Sequence, residues 1–198
     1  TQNQTVTIVD TMAPVADVAT LFIITAQCEV VSIVAPTATD NCIGAVTGTT
    51  TTTFPITAST TVVWTYTDGT NTSTQNQTVT ISDTTAPVAD VATLPVANAQ
   101  CEVTTITPPT ATDNCIGAVT GTTTTTFPIT TSTTVIWTYT DGINSSTQNQ
   151  TVTIVDTMAP VADVATLSII TAQCEVVTIV APTATDNCIG AVTGTTTT

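Results

Sequence analysis

The chain repeats itself with a period of 73 residues, and any fold it adopts must be built from copies of one unit. TQNQTVTIVD at Thr1 returns as TQNQTVTISD at Thr74 and again as TQNQTVTIVD at Thr147. Cys28, Cys101 and Cys174 keep this spacing, as do Cys42, Cys115 and Cys188, Trp64 and Trp137, and Tyr66 and Tyr139. Self-similarity at a fixed period marks a modular array. Such an array suits a structural element better than an active site, which gains nothing from near-identical copies. Taking each unit to begin at the Asp-Thr junction divides the chain into four parts. Residues 1–10 are expected to be the closing strand of a preceding copy, 11–83 and 84–156 two copies, and 157–198 the N-terminal part of another.

Composition narrows the function. The chain has no Lys, Arg or His against 14 Asp and Glu, a formal charge of −14. Nothing in it can neutralise phosphate, which argues against nucleic-acid binding. The missing His also removes the commonest general base and transition-metal ligand. Ser has neither His nor Lys to activate it, and no paired carboxylates suggest acid and base roles, so no catalytic residue is assigned and no enzyme is expected. Lys-to-Asn isopeptide crosslinks and internal salt bridges are chemically impossible. Apolar residues make up 41% and charged residues 7% of the chain, the balance of a folded rather than a disordered sequence. No apolar run approaches the roughly 18 to 20 residues that span a bilayer, so direct membrane insertion is not expected. Without a start Met or signal peptide, the sequence reads as a mature internal fragment.

The periodicity is that of strands. Val62, Trp64 and Tyr66 share one face and Val63, Thr65 and Thr67 the other, and Val135, Trp137 and Tyr139 repeat the pattern. This places both Trp residues in a core rather than on a sugar. Asp68-Gly69 and Asp141-Gly142 follow directly, a hairpin signal in which both central positions can take positive φ. Val79 and Ile81 share a face of the returning strand, and Cys28, Val30 and Ser32 alternate in a strand ended by Pro36 and Thr37. Six or seven short strands in each copy fit an all-β, two-sheet sandwich. Unopposed negative charge favours an elongated rod of such units.

Each copy carries two cysteines as Cys-x13-Cys, with too few companions for a zinc site. An even count in small Thr-rich units reads as disulfides in an oxidising, extracellular compartment. The expected pairs are Cys28 with Cys42 and Cys101 with Cys115, with Cys174 and Cys188 as a third; the alternative is reduced, buried thiols.

The order of motifs resembles a known family. DTMAPV or DTTAPV, a Cys, PTATDNC, Phe-Pro, a Thr-Val-x-Trp-Thr-Tyr strand, Asp-Gly and a closing Thr-Val-Thr-Ile strand look like the hyalin repeat, over the whole chain. The usual Gly-Asn after Asp-Gly reads Thr70-Asn71 and Ile143-Asn144 here. The resemblance implies tandem immunoglobulin-like β-sandwiches with a role in cell adhesion. The wording ATDNC with WTYTDG is similar to copies in very large surface adhesins of gliding bacteria that use type IX secretion.

On this reading the chain is an adhesive stalk at the cell surface. Its partners would be neighbouring repeats, with surface polysaccharide or other cells as possible ligands. The alternatives are a spacer in a secreted polysaccharide-degrading enzyme and a subunit of an extracellular filament. No cofactor is required. Asp40-Asn41, Asp113-Asn114 and Asp186-Asn187 read first as side-chain-bonded turns and second as Ca²⁺ ligands, with help from Asp17 or Glu29. The junction acids Asp10, Asp83 and Asp156 could rigidify a linker through a cation or simply be exposed, and exposure is the favoured reading. Thr11, Thr84 and Thr157, each following one of these acids, are candidate O-glycosylation sites.

Overall fold

The structure is a computed structural model and describes residues 1–196. It is all-β, and no helix among the described residues is long and apolar enough to cross a membrane. The chain forms two compact units. The first comprises Thr1–Ala86 with the short segments Asp113–Gly117 and Gly142–Asn144; the second comprises Pro87–Thr112, Ala118–Asp141 and the chain from Ser145 onward.

The first unit holds strands β1 (Val15–Ala16), β2 (Ile24–Ala26), β3 (Thr37–Asp40), β4 (Gly44–Thr47), β5 (Thr60–Thr67) and β6 (Thr72–Ile81). They make two three-stranded sheets, ordered β1-β3-β4 and β2-β6-β5. β5 and β6 pair antiparallel from Thr60↔Val79 to Thr67↔Thr72, and β2 lies parallel to β6 from Ile24↔Val79 to Ala26↔Ile81. Period-2 alternation turns Val62, Trp64 and Tyr66 into a core with Ala38 of β3 and Val79 of β6, while Val63 faces out. Burying a side chain such as Val62 or Val79 contributes roughly 1.5–3 kcal/mol. Two sheets closing on one apolar cluster fit a β-sandwich.

The second unit repeats this with β7 (Val88–Ala89), β8 (Ala97–Ala99), β9 (Thr110–Asp113), β10 (Gly117–Thr120), β11 (Thr133–Thr140) and β12 (Ser145–Ile154). Its core gathers Val103, Ala111, Val119, Ile129, Val135, Trp137, Tyr139 and Val152. A further sheet, β13-β14-β15, is built from Val161–Ala162, Thr183–Asp186 and Gly190–Thr193.

Two expectations are corrected. Cys28, Val30 and Ser32 do not form a strand; Val30 alone makes a bridge, to Ile56, with reciprocal N–H to O distances of 2.9 Å. Alternation reports burial of one face, but a strand also needs a partner along its length. Pro36 and Thr37 accordingly end nothing, and Thr37 opens β3. The hairpin loop is four residues, Asp68–Asn71, and only Gly69 takes positive φ, at 98°. Asp68 Oδ1 accepts from the backbone N–H of Thr70 and of Asn71, both at 2.6 Å, so an aspartate-capped loop replaces the two-residue turn. Residues 1–10, expected to close a preceding copy, form no strand within this chain.

Candidate functional site

The TQNQ motif positions what surrounds it. Trp64 Nε1–H donates to Gln77 Oε1 at 3.0 Å, and Gln77 Nε2 donates to Phe22 O at 3.1 Å. Tyr66 OH donates to Gln75 Oε1 at 2.7 Å, and Gln75 Nε2 donates to Val18 O at 2.6 Å. Each glutamine therefore satisfies a core aromatic with one end and ties down the β1–β2 loop with the other. The second unit repeats both relays: Trp137 and Gln150 at 2.9 Å reach Pro95 O, and Tyr139 and Gln148 at 2.6 Å reach Val91 O. Burial, then the negative charge of Asp17, pushes the Tyr66 phenol upward.

The expected pairing of cysteines within each copy is overturned. Cys28 bonds Cys115 and Cys101 bonds Cys188, each across 87 residues. The first cysteine of one copy thus joins the second cysteine of the next. Cys42 and Cys174 are free and exposed. The physical reason lies in the Asx turn that follows β3: Asp40 Oδ1 accepts from the backbone N–H of Cys42 and Ile43 at 2.8 and 3.0 Å. Asp113 holds Cys115 and Ile116 at the same distances. In the first unit the turn carries Cys115 to Cys28. Asn114 Nδ2 donates to Gln27 Oε1 at 3.0 Å and lies 3.2 Å from Cys28 Sγ and 3.0 Å from Cys115 Sγ. Asn187 repeats this on Cys101 and Cys188 in the second unit. Two disulfides suit an oxidising, extracellular environment.

Three carboxylate clusters stand beside these turns: Asp10 with Asp40 and Cys42, Asp83 with Asp113 and Cys115, and Asp156 with Asp186 and Cys188. In each, one ligand atom per residue lies within 4.8 Å of the others. The aspartates of the expected ligand pairs are thus brought to the junction acids, whereas the amides of Asn114 and Asn187 serve the disulfides; Asn41 Nδ2 lies 3.2 Å from Cys42 Sγ. Asp17 is not in the cluster, because the hydroxyls of Thr37 and Thr39 donate to its carboxylate at 2.5 and 2.7 Å and hold its pKa below the ordinary 3.8. Glu29 is exposed and outside it too. Asp10 and Asp83 are half-buried rather than exposed, and Asp156 is exposed. Each caps its own junction, accepting from the N–H of Met12, Thr85 or Met158 at 3.0–3.1 Å. The free Cys42 thiol is pushed upward by its hydrogen bond to Asp10, then by burial and by the charges of Asp10, Asp40 and Asp68.

Thr11, Thr84 and Thr157 are exposed. Thr84 and Thr157 hydroxyl oxygens accept from Gln27 and Gln100 at 3.3 and 3.1 Å. The sequence reading missed the glutamine relays and the role of the junction acids. The strict recurrence of Gln75 and Gln77 as Gln148 and Gln150, on the strand paired with the one that carries the Trp and Tyr, was the available signal for the first. No protein-family model and no curated protein matches the sequence.

Proposed function

We propose that this chain is a load-bearing, adhesive element of an extracellular surface protein, built from hyalin-like repeats and performing no catalysis. The observation that carries the reading is the stagger of the disulfides. Their 87-residue separation exceeds the 73-residue period by 14, so the bonds overlap along the chain and share the segment from Cys101 to Cys115. Tension entering at Cys28 crosses to Cys115, runs back to Cys101 and crosses again to Cys188. The covalent path through one copy is then 14 residues, about 50 Å when stretched, where an uncrosslinked copy would yield about 250 Å. A tether that lengthens little when its domains yield keeps a binding region at a fixed reach, and tethered copies rebind at high effective concentration. Surface polysaccharide or a neighbouring cell is the proposed ligand, and sugars on the exposed Thr11, Thr84 and Thr157 belong to the same reading. Pulling single oxidised chains from both ends tests it. The contour length released should rise several-fold on reduction; equal lengths with and without reductant would overturn the load path.

A further inference from the structure

We propose that two pairs of a junction aspartate and the Asx-turn aspartate beside it each bind one calcium ion: Asp83 with Asp113, and Asp10 with Asp40. Asp113 is 4% exposed. Its Oδ1 takes the backbone N–H groups of Cys115 and Ile116, and its Oδ2 is buried with no hydrogen-bond partner. Asp40, 3% exposed, has the same orphaned Oδ2. A carboxylate oxygen cut off from water and left unpaired is strongly disfavoured unless a charge or a proton answers it. Here a second carboxylate stands within 4.8 Å, which worsens the imbalance. With no Lys, Arg or His in the chain, no side chain can supply the positive charge. It has to come from solution.

The donor set selects the ion. Cys115 is in a disulfide, so no thiolate is offered in the Asp83–Asp113 cluster and zinc loses its best ligand there. Carboxylate oxygens suit a hard cation. Calcium bonds oxygen at about 2.3–2.6 Å, so two oxygens on one ion stand up to about 5 Å apart, which matches the clusters. Since Asp83 closes one sequence copy and Asp113 lies in the next, an ion there would brace the same turn that carries the disulfide.

The test is calorimetric titration of chelator-treated, oxidised full-length chain with CaCl₂. Saturable binding of at least two ions is expected, with Kd of roughly 10⁻⁴ to 10⁻³ M, as for other extracellular calcium modules. Asp83→Asn and Asp113→Asn keep a side-chain acceptor for the local N–H bonds, and each should abolish one site. Retained folding is checked by circular dichroism and the disulfides by mass. Should a variant unfold, the carboxyl carbon signal of Asp113 in the unaltered chain decides, since it must shift on adding calcium. Absence of saturable binding, binding unchanged in both variants, or an Asp113 signal that follows pH but ignores calcium would overturn the proposal; the last would mean a shared proton in place of the ion.

Discussion

The same ten residues, TQNQTVTIVD, occur at Thr1 and at Thr147 with different structures. From 147 the first eight of them lie in β12, with Gln150 and Val152 buried against β11 and Val152 opposite Ala97 of β8. From Thr1 no strand forms, and Val6 and Ile8 are 77% and 91% exposed. The copy beginning at 157 shows the complement. Its β13-β14-β15 sheet forms as in the other copies, but Ile170–Ala172, counterpart of β2 and β8, is not a strand, and Val176 is 46% exposed where Val30 and Val103 are 8% and 9%. One sheet of the unit therefore closes on local pairing alone. The other, with the layer it covers, exists only where the Trp strand and the closing strand are both at hand.

The comparison can be broken most directly by extending the chain with a second copy of 130–156 after its last residue. Ile170–Ala172 should then become a strand, read as a change from unprotected to protected amides in hydrogen exchange. Conversely, Trp137→Ala should make the 84–156 copy resemble the copy that follows it, lowering its stability by about 3–5 kcal/mol in a urea titration. Breaking the Cys101–Cys188 bond with Cys101→Ala should cost about 2–4 kcal/mol, and peptide mapping of the parent chain should recover Cys101 linked to Cys188 rather than to Cys115. Gln150→Ala leaves the Trp137 N–H buried without an acceptor and should cost about 1–3 kcal/mol while sparing the β13-β14-β15 sheet.

The smallest effect is on pH dependence. Hydroxyls of Thr110 and Thr112 hold the Asp90 pKa below the ordinary 3.8, and Asp17 and Asp163 have the same two donors from Thr37 and Thr39 and from Thr183 and Thr185. A folded pKa below the unfolded value means that the unfolded chain protonates first. The stability these groups contribute is fully present above about pH 4 and declines as pH falls through 3.8 toward the lowered folded value. Asp90→Asn should flatten that acid limb slightly in pH-dependent thermal melts. Because Asp163 is held in the same way, the incomplete copy should show the same acid response as the complete ones.

Much of the fold was legible in the sequence. Val62, Trp64 and Tyr66 alternate with polar neighbours, and burial of that face follows from the pleat of any strand. The turn at Asp40 was legible too, because an aspartate two residues before a cysteine caps its own backbone without help from the rest of the chain. The alternation at Cys28–Ser32 misled, since only Val30 meets a partner.

What the residues settled alone is local: strand periodicity, the capped turns and the absence of any positive side chain. What only the tertiary structure decided is which distant groups meet. Cys28 is closer in sequence to Cys42, yet bonds Cys115, because β3 and its Asx turn direct the second cysteine of each copy away from the first of the same copy. Asp83 and Asp113 are thirty residues apart and become neighbours through the same turn. Proximity along a chain sets how readily two groups meet when it is unfolded; once sheets form, register and turn geometry fix the distances, and a 73-residue repeat offers every residue an equivalent partner one copy away.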